Sequence, residues 1–214
     1  MSTTVPARRP DRESGQPESF VLYVEGPRDR SILRAWASRL LPERAPTFLA
    51  DAVILGGRRP ARALEHFRAR DGSARGLCLL DRDEEGAPPP DAEEGLEFFT
   101  WGRRHIESYL LVPAAIRRAL SLGPDDRRVE TALNGGLPAA DDTAGWRALD
   151  AKRLLGDRGP LATALGRPLP LPRIARATRE AELHEDVHRV FERIRQGLAR
   201  VVAPSARRRP RRRR

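Results

Sequence analysis

Phe20-Val21-Leu22-Tyr23-Val24-Glu25-Gly26-Pro27-Arg28-Asp29 passes from a β-branched and aromatic apolar run through a Glu-Gly-Pro turn into a polar segment. Such a run ending on turn residues is how a buried strand stops. Beyond Asp29 the apolar residues Ile32, Leu33, Trp36, Leu40 and Leu41 fall at helical intervals and Pro42 closes the segment,. The pattern is strand, tight turn, helix, and it recurs. Ala52 to Leu55 before Gly56-Gly57 predicts a second strand, with a helix through Ala61, Leu64, Phe67 and Ala69 that stops near Asp71-Gly72. Gly76 to Leu80 predicts a third strand ending on Asp81-Arg82-Asp83, and Leu96 to Trp101 a fourth beyond Pro88 to Pro90. Short apolar strands alternating with helices predict an α/β fold with a parallel, doubly wound sheet of about four strands, covered on both faces.

The second half has a different texture. Helices are expected over Pro113 to Leu120, Asp142 to Leu155, Pro172 to Ala177 and Leu183 to Val202, the last with Val187, Val190, Phe191, Ile194 and Leu198 on one face,. Ser121 to Ala140, rich in Gly, Pro and Asp, reads as a loop. The expected organisation is a leader over residues 1–18, an α/β unit over 19–156, a packed helical extension over 157–203 and an Arg-rich tail over 204–214. At 214 residues one main core is expected,. No run approaches the roughly 18 to 20 apolar residues of a membrane span, and the N-terminus has no apolar signal core. The single cysteine, Cys78, excludes an internal disulfide framework and a clustered-cysteine zinc site, and it lies in the apolar run Leu77 to Leu80 as a core residue,. These features agree with a cytoplasmic location.

The formal charge is +10, and seven of those charges are Arg207, Arg208, Arg209, Arg211, Arg212, Arg213 and Arg214, which leaves +3 for the rest. A basic tail binds polyanions by counterion release, without reading sequence and without supplying chemistry. An arginine-biased coding sequence explains the same tail. Arginine fills nearly every cationic position: of 40 Lys plus Arg, the sole lysine is Lys152. Chance survival is one explanation; the other is a need for a compact ammonium that a guanidinium cannot replace.

Ligands of open parallel sheets bind beyond the carboxyl ends of the strands. Glu25 follows the first strand, Asp81 and Asp83 the third, and Glu107 lies shortly after the fourth, so these groups can converge on one edge. Asp29 points to the same place, or merely favours the start of its helix; Glu107 taken alone reads as a surface carboxylate. Converging carboxylates repel unless a cation neutralises them, and Mg²⁺ prefers oxygen ligands together with substrate phosphates. Two such ions stabilise the attacking and leaving oxygens of a phosphodiester.

Val24-Glu25-Gly26-Pro27-Arg28-Asp29 resembles the glutamate motif of topoisomerase-primase (toprim) domains, and Leu79-Leu80-Asp81-Arg82-Asp83 resembles their Asp-x-Asp motif. Arg103-Arg104-His105-Ile106-Glu107-Ser108-Tyr109-Leu110-Leu111 is similar to the Ile-Glu-Asn-Tyr-Leu-Leu segment of the toprim branch found in OLD-type nucleases and related anti-phage effectors, with Ser108 in place of the asparagine. The resemblance covers roughly residues 20–156. It implies a toprim-like Rossmannoid sheet with additional C-terminal helices and a metal-dependent endonuclease. In it Glu25 with Asp29 holds a divalent ion or Glu25 acts as general base, Asp81 and Asp83 hold a metal, and Glu107 completes the shell. It further implies Mg²⁺ or Mn²⁺, two ions, as cofactor. Ala151-Lys152-Arg153-Leu154-Leu155 resembles the Lys-x-Leu-Leu context in which OLD-type enzymes carry a lysine near the scissile phosphate, which assigns Lys152 a catalytic, charge-stabilising role.

Other readings fit less well. Glu85 stands where haloacid-dehalogenase-type phosphatases carry Thr or Val. Topoisomerase chemistry needs a nucleophilic tyrosine on a separate domain, whereas Tyr23 and Tyr109 lie in apolar segments. Primase activity would bring zinc- and helicase-binding domains for which neither the length nor the cysteines exist. A ribosomal-RNA maturase is also toprim, but the Ile-Glu-Ser-Tyr-Leu-Leu stretch favours the OLD-like branch. His66, His105, His184 and His188 form no metal motif; His184 and His188 share a predicted helix face as surface residues. No phosphate-loop motif is present, so any nucleotide control must come from a separately encoded ABC-type ATPase. The expected partners are nucleic acid, such an ATPase, and a second copy in a homodimer, with no membrane. The alternative function is a non-catalytic toprim module that binds nucleic acid or a partner protein.

Overall fold

The structure, a computed structural model, describes residues 19–43, 49–70, 74–82, 88–91, 93–133 and 136–202. The leader over 1–18, the tail with Arg207 to Arg214, and Asp83 lie outside the described residues. Four strands, β1 (Phe20–Val24), β2 (Val53–Ile54), β3 (Arg75–Leu80) and β4 (Leu96–Thr100), form one all-parallel sheet in the order β2-β1-β3-β4. The fold class is therefore the expected one, an α/β sheet flanked by helices.

Alternation along the strands sends residues to opposite faces. Leu22, Val24, Leu77, Leu79 and Phe99 join the larger core with Ile32, Leu33 and Trp36 of α1 (Pro27–Leu40), Ile174 of the helix Leu171–Ala177 and Val187, Val190, Phe191 and Ile194 of the helix Glu185–Val202. Val21, Tyr23, Cys78, Leu80 and Leu96 face the other way, onto Ala63, Leu64 and Phe67 of α2 (Pro60–Arg68). The helices after residue 156 thus share one core with the sheet. Among the described residues no helix is long and apolar enough to cross a membrane.

The chain passes from β1 outward to β2 and then returns across β1 to β3 and β4. Direction reverses between β1 and β3, and the crevice at such a switch point is where open parallel sheets bind ligands. Three expected boundaries change. Asp142 to Leu155 is two helices, Thr143–Ala148 and Ala151–Leu155, because Leu149 is extended (φ −65°, ψ 119°) and Asp150 starts a new turn by accepting the Arg153 N–H at 2.9 Å,. The expected loop over 121–140 contains the helix Arg128–Leu133, anchored by buried Val129 and Leu133. An unexpected helix, Pro160–Leu165, begins with Pro at its first turn and ends at Gly166 (φ +66°),.

Candidate active site

Glu25 leaves the end of β1, Asp81 the end of β3, and Glu107 sits in a 3₁₀ turn (Ile106–Leu110) after β4. All three are buried: Glu25 is 8% exposed, Asp81 2% and Glu107 1%. The reading of Glu107 as a surface carboxylate is therefore corrected. Its turn is held inside by the buried apolar residues Ile106, Tyr109 and Leu110.

Backbone and side chains hold these groups together across the switch point. The Asp81 N–H donates to Glu25 Oε1 at 2.8 Å, and Asp81 Oδ1 accepts the Ile106 N–H at 3.1 Å. The Glu25 carboxylate thus ties the end of β1 to that of β3, and the Asp81 carboxylate ties β3 to the turn that carries Glu107. The Glu25 carbonyl accepts the N–H groups of Gly56 and Gly57 at 3.0 and 2.9 Å, and both glycines have positive φ (+76° and +110°) that other residues rarely adopt,. Arg58 donates to the Asp81 carbonyl. Asp29 lies in the first turn of α1, where its Oδ2 accepts the Gly26 N–H at 2.8 Å.

Lys152 reaches the same place from the short helix Ala151–Leu155. Its Nζ lies 2.6 Å from Asp81 Oδ2, with a side chain 42% exposed against 3% for Asp81. The break at Leu149 and the cap at Asp150 start the helix that carries this lysine. Burial lowers the lysine's pKa, but the hydrogen bond to Asp81 and the charges of Asp81, Glu107 and Asp29 outweigh it and raise the pKa above its usual value. Lys152 is an ammonium at neutral pH.

Glu107 stands apart in its hydrogen bonding. Both of its oxygens are buried and accept no hydrogen bond from another residue; its own amide and the Lys152 charge only partly offset its burial, and Arg28 lies 3.7 Å away. Burial, aided by Asp81 and Asp29, pushes its pKa from 4.5 to about 7. Burial and then the Asp81 charge push Asp29 from 3.8 to about 6. His105, also buried, has its pKa lowered by burial and by the Lys152 charge, so it is neutral near pH 7,.

The structure brings together Glu25, Asp29, Asp81, Glu107 and Lys152. Sequence reasoning missed Arg28, Arg58 and His105, which surround them; the arginines were hidden by the abundance of arginine, and His105 by having no motif partner. Among the described residues no three His, Cys, Asp or Glu groups stand together in an arrangement that could hold a metal ion as placed. The donor set is nevertheless oxygen only, as Mg²⁺ or Mn²⁺ requires, and two buried Glu107 oxygens lack donors from elsewhere in the chain,. On that chemistry the residues fit a hard divalent ion.

Tyr109, weighed as a nucleophile, donates its hydroxyl to buried Asp186, and burial followed by that bond raises its pKa. His184 lies just before the last helix, with its side chain 39% exposed. It precedes Glu185, accepts the Asp186 N–H at 3.1 Å and packs edge-on against Tyr109.

Comparison with protein-family models, curated proteins and solved structures returns no match. What the chain does is therefore argued from the site itself.

Proposed function

We propose that this chain is a metal-dependent nuclease of the toprim type, hydrolysing phosphodiester bonds in DNA or RNA at the carboxyl edge of its sheet. The observation that carries this reading is Glu107, a buried carboxylate without donors from other residues, facing the same edge as Glu25, Asp29, Asp81 and the sole lysine. A buried polar atom that the chain leaves unsatisfied calls for a partner from outside the chain, and an ion is one such partner. Glu25, Asp29, Asp81 and Glu107, with Asp83, are the groups that would hold Mg²⁺ or Mn²⁺, which supplies Lewis-acid neutralisation of the phosphate's charge.

The chain's own residues have distinct tasks in this reading. Glu25, oriented by the Asp81 amide, takes the proton of the attacking water. Lys152, flexible enough to leave Asp81, turns its ammonium to a phosphate oxygen as negative charge develops. Arg28 and Arg58 keep the carboxylate cluster from repelling itself open. Control by a separately encoded ABC-type ATPase, and a role in defence against phage, extend the proposal through the family resemblance.

One observation favours a second reading. The Lys152–Asp81 pair neutralises a carboxylate from within, so the edge can persist without metal, as a non-catalytic module that binds nucleic acid or a partner protein would need. The two readings separate on incubation of the protein with labelled DNA and RNA, single-stranded and duplex, in Mg²⁺ or Mn²⁺ and in chelator, alone and with any ATPase that copurifies. Cleavage abolished by chelator, by Asp81→Asn and by Glu107→Gln is expected; binding without cleavage under every condition selects the second reading.

A further inference from the structure

Next to the acidic edge lies a recess of about 360 Å³, lined by Arg82, Arg103, Trp146, Arg147, His184 and Arg189 among others. It opens over the end of β4, the neighbour of β3. Arg82 links the two places. It directly follows Asp81, its N–H donates to the Arg104 carbonyl at 2.8 Å, and its Nε donates to the Trp101 carbonyl at 2.9 Å. The guanidinium is thereby held at the end of β4, while the Asp81 carboxylate faces Lys152.

The recess is cationic by construction. Its acid, Asp186, is consumed: it accepts from the Tyr109 hydroxyl, from the Gly102 N–H at 3.2 Å and from Arg189 Nη2 at 2.6 Å. Arg82, Arg103 and Arg147 form no ion pair among the described residues. Arg103 is clamped between rings, with its guanidinium 3.6 Å from the Trp146 centroid and 5.1 Å from that of Tyr109. A cation fixed this way loses little further freedom when an anion arrives. The volume is within the roughly 300–1,000 Å³ of small-ligand sites, so it admits a nucleotide-sized group.

We propose that this recess holds the nucleotides flanking the phosphodiester presented to the acidic edge, and that the substrate is an unpaired polynucleotide strand lying across the sheet from β1 to β4. The inference rests on the nuclease reading for the position of the scissile bond. Concavity decides between strand types. A duplex keeps its bases stacked inside a convex cylinder, whereas an unpaired strand can bend a phosphate or a splayed base into a pocket between guanidinium and aromatic groups.

The test uses the full chain without divalent metal and fluorescent 12-nucleotide DNA and RNA probes, single-stranded and duplex. The parent and an Arg82→Gln/Arg147→Gln double variant both keep the arginine tail, so its contribution cancels. The expected result is about tenfold weaker single-strand binding in the variant, with the salt slope smaller by about 1.4, as two lost phosphate contacts imply. Mn²⁺ binding by the variant should be unchanged, which shows that the acidic edge still folds. A probe carrying 5-iodouracil should crosslink to residues 140–147 and 184–189. Unchanged affinity in the variant, crosslinks confined to the tail, or tighter binding of duplex each overturn the recess as a strand site. If the parent cleaves while the variant binds normally, the recess inference falls and the nuclease reading stands. If the variant binds weakly while the parent never cleaves, the recess stands and the nuclease reading falls.

Discussion

Asp186 and Glu107 are both almost wholly buried carboxylates near the end of β4, 3% and 1% exposed, yet their surroundings are opposite. Asp186 meets a tyrosine hydroxyl, a backbone N–H and an arginine, so its charge is answered within the chain. Glu107 meets no donor from another residue; Arg28 lies at a distance and the Lys152 charge offsets its burial only in part. Burial alone does not distinguish a functional acid from a structural one; satisfaction does. Asp186 joins the last helix to the loop after β4, and a Cβ at Gly102 would come to 2.5 Å from the Asp186 carboxylate, so a side chain there would displace that carboxylate from its partners.

The sharpest way to test the contrast is through the cation on the unsatisfied side. Lys152→Ala should slow single-turnover cleavage at saturating metal on the order of 100-fold or more. Lys152→Arg should be nearly as damaging, because a guanidinium cannot occupy the same contact. Near-normal rates for Lys152→Arg would reduce Lys152 to a general phosphate contact. Folding, read by circular dichroism, should survive both changes.

A second effect comes from protons. Folding raises the pKa of Glu107 from 4.5 to about 7 and of Asp29 from 3.8 to about 6. Through that window the folded state holds protons that the unfolded chain releases, so stability is fully present below about pH 4 for these groups and is lost as pH rises to about 7. Chelated protein should therefore be less stable at pH 8 than at pH 5 by about 4 kcal/mol, read as a lower melting temperature at pH 8. Glu107→Gln should flatten most of that dependence, and Mn²⁺ should restore stability at pH 8. A melting temperature that rises with pH in chelator would contradict the assignment.

On the satisfied side the sign reverses. Asp186→Ala removes the buried acceptor of the Tyr109 hydroxyl and the Gly102 N–H and leaves Arg189 only its pair with Glu185, and should cost about 2 kcal/mol, or about 4–8 °C in Tm for a chain of this size. Thermal unfolding at pH 8 compares it directly with Glu107→Gln, which should stabilise the metal-free protein. The smallest effect concerns neither acid. Deleting Arg207 to Arg214 should weaken nucleic-acid binding a few-fold at low salt and leave cleavage at saturating substrate intact, as titration at two ionic strengths would show.

How far the sequence reveals all this depends on what each residue answers to. The strands were legible because Phe20 to Val24, Gly76 to Leu80 and Leu96 to Thr100 are short apolar runs bounded by turn residues, with carboxylates placed directly after the first two. Lys152 stood out against a background of arginine. The same background hid Arg82, Arg103 and Arg147, whose roles come only from the surfaces they meet. The break at Leu149 was invisible because leucine suits the helical spacing; only Asp150, as a cap, signals it. The satisfaction of Asp186 and the isolation of Glu107 depend on contacts across long stretches of chain, which no local pattern carries.

The Tyr109–Asp186 bond spans 77 residues of chain, and this separation has a consequence for biosynthesis. Chains emerge N-terminal end first, and domains tend to fold as units. A growing polypeptide contains Glu25, Asp81 and Glu107 before the helix Glu185–Val202 is made, and until then the turn carrying Glu107 keeps its bond to Asp81 but lacks the one from Tyr109 to Asp186. The bond from Tyr109 to Asp186 can therefore form only after the helix Glu185–Val202 has been made, so the support behind the carboxyl edge is completed later than the edge itself.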